Sequence, residues 1–238
     1  MPLELYNGSD KIVDVYAGSQ VISQIYKGSE LVFTHYPVNG LVFEAKTVGT
    51  HTFSPDVDGT YEIRVVGAGG GGATFADANK YQARSGTAGG GSGAYVSALI
   101  KLSRGTTYSM TIGAGGAGNG NSAYNVVAQG VAGGTTTFST YITCNGGAGG
   151  RCVNWDGSAS ASMTGGAGGT YTATGYESLL AGSDGNTGPT VRGFGMNNGG
   201  ESLYGGYGQG GGGYGSHYSA HPTGGKDGYV GIFFVTSI

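Results

Sequence analysis

The sequence predicts an all-β protein. Short-strand meander repeats come first, then a β-sandwich or jelly-roll-like domain with an inserted bundle of polyglycine II helices, and little or no α-helix. Three observations predict this. A Tyr-x-Gly-Ser motif recurs every ten residues at the start of the chain. Later apolar and β-branched runs have strand length and period two. Glycine, 54 of 238 residues, is gathered into tracts that begin where those runs stop.

The repeats are Tyr6-Asn7-Gly8-Ser9, Tyr16-Ala17-Gly18-Ser19 and Tyr26-Lys27-Gly28-Ser29, with Tyr36 opening a fourth. Short apolar runs separate them, so each unit reads as a strand closed by a turn in which glycine takes φ > 0 without steric cost. Ten residues are too few for one coil of a single-chain solenoid, and the open strand edges need covering. Residues 1–37 therefore read as an attachment module with Tyr6, Tyr16, Tyr26 and Tyr36 as docking candidates, and residues 38–238 as a second, glycine-rich unit.

In the second unit Tyr61, Ile63 and Val65 alternate with Glu62 and Arg64, as in a half-buried strand, after the turn Ser54-Pro55-Asp56-Val57-Asp58-Gly59. Further strands are expected at 41–43, 52–53, 95–102, 107–112, 135–138, 141–144 and 229–235. That number suits a small sandwich. Between residues 67 and 225 lie 46 of the 54 glycines. In Gly113-Ala114-Gly115-Gly116-Ala117-Gly118 the alanines are three apart, and Gly146-Gly147-Ala148-Gly149-Gly150 recurs as Gly165-Gly166-Ala167-Gly168-Gly169. A left-handed helix of three residues per turn puts each alanine on one edge and leaves two faces bare. Such helices have no internal hydrogen bonds, so they persist only side by side with their backbones paired. Gly115, Gly116, Gly146, Gly147, Gly165 and Gly166 are the candidate packing positions. Loose linkers are the alternative reading.

Composition excludes several functions. Glycine lacks the collagen period, and 17 Tyr, 8 Phe and 1 Trp are too many aromatics for a disordered tail. A formal charge of -3 without a basic run argues against nucleic acid as a partner. No stretch is long and apolar enough to span a bilayer, and residues 1–11 do not resemble a signal peptide. Cys144 and Cys152 suit free thiols, with a local disulfide as the alternative.

The run Gly59-Thr60-Tyr61-Glu62-Ile63-Arg64-Val65-Val66-Gly67-Ala68-Gly69-Gly70, then Gly91-Ser92-Gly93-Ala94-Tyr95-Val96 and Gly105-Thr106-Thr107-Tyr108, resembles the glycine-rich domain of many bacteriophage tail and fibre proteins. Gly134-Thr135-Thr136-Thr137-Phe138, Asn145-Gly146-Gly147 and Gly228-Tyr229-Val230-Gly231-Ile232 continue the likeness, which covers about residues 40–238. The opening repeats are similar to decapeptide repeats of phage tail proteins. The tracts also resemble those of polyglycine-helix tip adhesins, although the fibre-binding segment of those adhesins is not recognisable here and the tracts are shorter. The resemblance implies a virion protein made in the host cytoplasm and exposed on the particle exterior, as a homotrimer or in several copies. It implies virion partners for the repeats and a bacterial receptor, glycan or outer protein, for the glycine-rich part. The alternative is a purely structural component such as a head fibre, a capsid decoration or a minor tail protein.

No catalytic, cofactor or metal constellation emerges from the residues. The histidines are scattered, no G-x-S-x-G elbow is present, and no tract carries the Lys-Ser/Thr of a P-loop. An enzyme is not expected. Asp56-Val57-Asp58 reads as a turn, and His217 with His221 as an exposed polar loop. Trp155, Tyr171, Tyr176, Tyr204, Tyr207, Tyr214, His217 and Tyr218 fall in insertions between tracts and are the receptor-contact candidates, because tyrosine and tryptophan give rigid contact area at low entropy cost. They are expected to gather at one pole. Capping of the bundle by these rings is the competing reading.

Overall fold

The computed structural model describes residues 6–7, 10–11, 16–17, 20–21, 24–27, 30–34, 40–75, 86–121, 127–153, 162–192, 195–215 and 220–237. Strands are numbered along the chain. In the repeats, β1 (Tyr6–Asn7) pairs with β2 (Asp10–Lys11), β3 (Tyr16–Ala17) with β4 (Gln20–Val21), and β5 (Gln24–Lys27) with β6 (Glu30–Thr34). The registers Asn7↔Asp10, Ala17↔Gln20 and Lys27↔Glu30 pair the residues that flank each Gly-Ser. Pairing is thus within a repeat, and among the described residues no ladder joins one repeat to the next. Tyr36 lies outside the described residues.

The sandwich strands are β7 (Gly40–Ala45), β8 (Gly49–Phe53), β9 (Gly59–Val66), β12 (Tyr95–Leu102), β13 (Tyr108–Ile112), β16 (Thr136–Phe138), β17 (Ile142–Cys144), β20 (Tyr171–Ala173), β21 (Ser178–Ser183) and β26 (Tyr229–Ser237). They form two antiparallel five-stranded sheets ordered β21-β12-β9-β26-β7 and β20-β17-β16-β13-β8. Alternation decides which face is buried. Tyr61, Ile63 and Val65 of β9, Val96, Ala98, Ile100 and Leu102 of β12, and Val230, Ile232 and Phe234 of β26 meet Tyr108, Met110, Ile112, Phe138 and Ile142 of the facing sheet. No α-helix occurs among the described residues.

The remaining strands are short: β10 (Ala73–Phe75), β11 (Gly86–Ala88), β14 (Asn119–Asn121), β15 (Val127–Gln129), β18 (Arg151–Val153), β19 (Ser162–Thr164), β22 (Thr190–Arg192), β23 (Gly195–Asn197), β24 (Gly213–Gly215) and β25 (Ala220–Pro222). They form three small sheets, β14-β10-β11-β22, β15-β18-β19 and β23-β24-β25. Three-residue strands show no period, and the sequence reading missed all of them, along with β20 and the exposed edge strand β21.

Ten tracts make up the bundle: 67–72, 89–94, 113–118, 130–135, 145–150, 165–170, 184–189, 198–203, 208–212 and 223–228; eight join the two sets of strands, and 198–203 and 208–212 meet at a reversal beside the sandwich. Odd-numbered tracts leave the sandwich end and even-numbered ones return to it. Every N–H of 67–72 and of 89–94 donates to a carbonyl of another tract, at 2.8–3.2 Å. The first tract donates to the antiparallel tracts 89–94, 130–135 and 223–228, and accepts from the parallel tracts 113–118, 145–150 and 208–212. It has six neighbours, as does 89–94. The pairings define hexagonal packing in rows of three, four and three. The rows are 130–135, 145–150, 165–170; then 113–118, 67–72, 89–94, 184–189; then 223–228, 208–212, 198–203. Both six-neighbour tracts are buried throughout.

Glycine is required here for close approach, as at the axis of collagen. A Cβ at Gly115 would fall well inside 3.0 Å of the Gly225 carbonyl oxygen, at Gly116 of Val131 O, at Gly146 of Gly133 O, at Gly147 of Gly91 O, at Gly165 of Gly188 O and at Gly166 of Ala148 O. In contrast, Ala114, Ala117, Ala148 and Ala167 are exposed on perimeter tracts. The three-residue spacing thus sends methyl groups outward and bare backbone inward. A side chain at Gly115 or Gly166 must push a neighbouring tract away and break its hydrogen bonds. Gly166→Val and Gly115→Val are each expected to cost about 3 kcal/mol or more, whereas Ala148→Ser stays within about 0.5 kcal/mol; thermal unfolding monitored by circular dichroism checks both.

Candidate functional site

The end of the bundle away from the sandwich is where the chain turns back. It passes there from β10 to β11, β14 to β15, β18 to β19, β22 to β23 and β24 to β25. A second small core closes this end, made of Ala73, Phe75, Ala88, Ala128 and Cys152 with Met163 packed against it. Tyr214 lies on β24, in this group of strands. Trp155, between β18 and β19, and His217 and Tyr218, between β24 and β25, lie outside the described residues. His221 is on strand β25 and exposed, so the two histidines are not a turn apart on a helix.

The other four aromatic candidates belong to the sandwich end. Tyr171 is half-buried on β20 against the main core, and Tyr176 is exposed in the turn that follows it. Tyr204 and Tyr207 sit in the reversal between 198–203 and 208–212. There Tyr204 stacks on Tyr95 (centroids 5.3 Å, planes 5° apart) and Tyr207 on Tyr229 (4.6 Å). The tyrosine candidates thus divide between the two ends. The controlling variable is parity: an insertion after an even-numbered tract lies by the sandwich, and one after an odd-numbered tract lies at the far end. Counting tracts in the sequence would have separated the two groups.

The stacked rings form a polar seam with Arg64 and Glu62. The Arg64 guanidinium grips Glu62 through two bonds (Nε to Oε1 2.6 Å, Nη2 to Oε2 2.9 Å), donates to the Tyr204 hydroxyl at 3.2 Å and lies 4.1 Å from the centroid of Phe233. Desolvation pushes the Glu62 carboxyl up, but hydrogen bonds from Arg64 and Ser97 outweigh it and hold the group below its ordinary value. The hydrogen bond to Glu62 raises Arg64 further. Burial likewise raises Tyr229. Every polar group named here has an internal partner, so the seam serves to close the bundle against the sheet.

Asp58 spends a carboxylate oxygen on the Arg104 amide at 2.8 Å, a plain turn contact. Among the described residues no cluster of His, Cys, Asp or Glu could hold a metal ion. Cys144 and Cys152 are free and buried, one in each core, at the two ends of the fifth tract. Their thiols donate to backbone carbonyls, Cys144 to Val65 at 3.5 Å and Cys152 to Ala73 at 3.4 Å. Burial pushes both up to about 12, against weaker opposing backbone hydrogen bonds. Since the thiolate is the reactive form, neither should react with Ellman's reagent at pH 8 while the chain is folded. Both should react at once in guanidinium chloride; absorbance at 412 nm counts them.

These features define a class of protein: a β-sandwich from which ten short glycine tracts run out and back as a hexagonally packed polyglycine II bundle. The chain belongs to the glycine-rich domain family, whose family model matches residues 46–236. A search of curated proteins gives no match.

Proposed function

We propose that this chain is a bacteriophage virion protein, a tail- or fibre-associated adhesin that attaches the particle to the host surface by non-covalent binding. The repeats dock onto other virion proteins, and the connections at the far end of the bundle contact a bacterial glycan or outer protein. One observation carries this reading. Gly40, where the repeats feed into β7, pairs with Phe234 at the pole of the sandwich remote from the bundle, while Ala45 pairs with Val230 beside it. The six residues of β7 span about 20 Å and six residues of a tract about 19 Å. The entry of the chain and its five returns therefore lie at opposite ends of the molecule. A rigid stalk between them presents loops away from whatever holds the base, and backbone packing leaves the loops free to vary in sequence.

The two-stranded hairpins of the repeats fit the docking half of this reading, since an isolated hairpin is marginal alone and gains stability from neighbouring strands. A structural role as head fibre, decoration or minor tail protein draws on a different observation: Tyr171, Tyr204 and Tyr207 are used in internal packing. Phage carrying Trp155→Ala or Tyr218→Ala separates the two. An aromatic anchor loses about 2 kcal/mol or more on truncation, about thirtyfold in affinity, so these particles should assemble with normal copy number and adsorb at least tenfold more slowly. Adsorption at the parent rate by both variants would favour the structural role.

A further inference from the structure

The outward face of the β15-β18-β19 sheet combines a cation, polar hydrogen-bonding side chains and a pair of valines. Ala128 and Cys152 point into the small core and Met163 packs against it, so the residues on either side of them face out. Register places Gln129, Arg151 and Thr164 in one row across the three strands, and Val127, Val153 and Ser162 in the next. Gln129, Arg151, Thr164, Val127 and Ser162 are exposed. Arg151 has no carboxylate within ion-pair distance among the described residues. The ion pairs that are described, Lys46–Glu44, Arg64–Glu62 and Lys101–Glu177, all belong to the sandwich.

Charge is divided in the same sense. The segments that link tracts at the far end (73–88, 119–129, 151–164, 190–197 and 213–222) carry Lys80, Arg84, Arg151 and Arg192 against Asp77 and Asp156, a net of +2. The rest of the chain holds the other seven cations and twelve anions, a net of -5, which together give the overall -3. Arg151 supplies positive charge on this face, which favours an anionic ligand there.

We propose that this face binds an anionic sugar, a pyranose carrying a phosphate or carboxylate group. The Arg151 fork takes the anion in a two-pronged, charge-assisted contact. Gln129 and Thr164, about 4.8 Å to either side on the adjacent strands, hydrogen-bond to ring hydroxyls. The Val127–Val153 row lies about 7 Å further along the strands and supplies an apolar shelf for the face of the ring. That such a sugar belongs to a bacterial surface rests on the adhesin reading; the binding chemistry does not.

The test is a nuclear magnetic resonance titration of the full-length, nitrogen-15-labelled chain with glucose 1-phosphate, glucuronate, glucose and inorganic phosphate. Saturable shifts of the Arg151 side-chain N–H and the Gln129 amide are expected with one or both anionic sugars, and the responding sugar identifies the anion. Glucose should produce none, and inorganic phosphate should bind at least tenfold more weakly than the sugar phosphate if that is the responder. Arg151→Gln should weaken binding at least tenfold, with Arg151→Lys between the two. Absence of shifts at Arg151 and Gln129 with either anionic sugar overturns the proposal, as does unchanged binding by Arg151→Gln, or phosphate alone matching the sugar phosphate. If the sugar binds and phage carrying Arg151→Gln adsorbs normally, the site stands and its part in attachment fails.

Discussion

The structure depends on one constraint: two extended backbones can exchange N–H···O=C bonds at the spacing of this bundle only where no Cβ stands between them. The tract amides make no hydrogen bonds within their own tract, so the backbone pairing is with neighbours. Ordering a residue costs about 1–2 kcal/mol of backbone entropy, and glycine pays more than most. Six paired donors in each of the two enclosed tracts, 67–72 and 89–94, offset that cost. The perimeter tracts pair on their inner sides and carry Ala114, Ala117, Ala148 and Ala167 on their outer ones. Those methyl groups also occupy the place that a further tract would need, which limits lateral growth of the lattice.

Pairing alone does not fix the register of ten short tracts, because glycine offers few side chains to lock it. The two ends do. On one side eight of the tracts join sandwich strands, and the long ones among these, such as 59–66 and 95–102, admit one alignment through their alternating residues. On the other they enter short strands gathered around Phe75 and Cys152. Side chains take over where the repeating pattern stops. The Thr136 hydroxyl accepts from the Gly113 amide at 3.1 Å, Asp227 from Gly115 at 2.8 Å, and Ser92 from Asn186 at 2.8 Å. The Tyr95–Tyr204–Tyr229–Tyr207 stack seals the turn between the eighth and ninth tracts onto the outer face of the sheet.

Eight of the ten sandwich strands were legible, most clearly the eight-residue runs 59–66 and 95–102 with a full alternating pattern, while β20 and the exposed edge strand β21 were not. The glycine helices were legible through the alanines at 114 and 117 and the paired GGAGG motifs, since a period of three is the period of the helix. Position within the lattice was not legible. The enclosed tracts contain Ala68, Ser92 and Ala94, and only long-range neighbours make them central. The short strands at the far end arise from chain reversal between fixed tracts and leave no local pattern. Tyr204 and Tyr207 read as surface aromatics because ring contacts with Tyr95 and Tyr229 join residues more than twenty positions apart.

Native-state hydrogen exchange of individual amides tests the enclosed bundle most directly. If 67–72 and 89–94 are ringed by six paired tracts, their glycine amides exchange only on global unfolding, at the same rate as those of Ile63 and Ala98 in the sandwich. Exchange of the Gly70 and Gly91 amides within seconds, while Ile63 and Ala98 stay protected, would contradict the account.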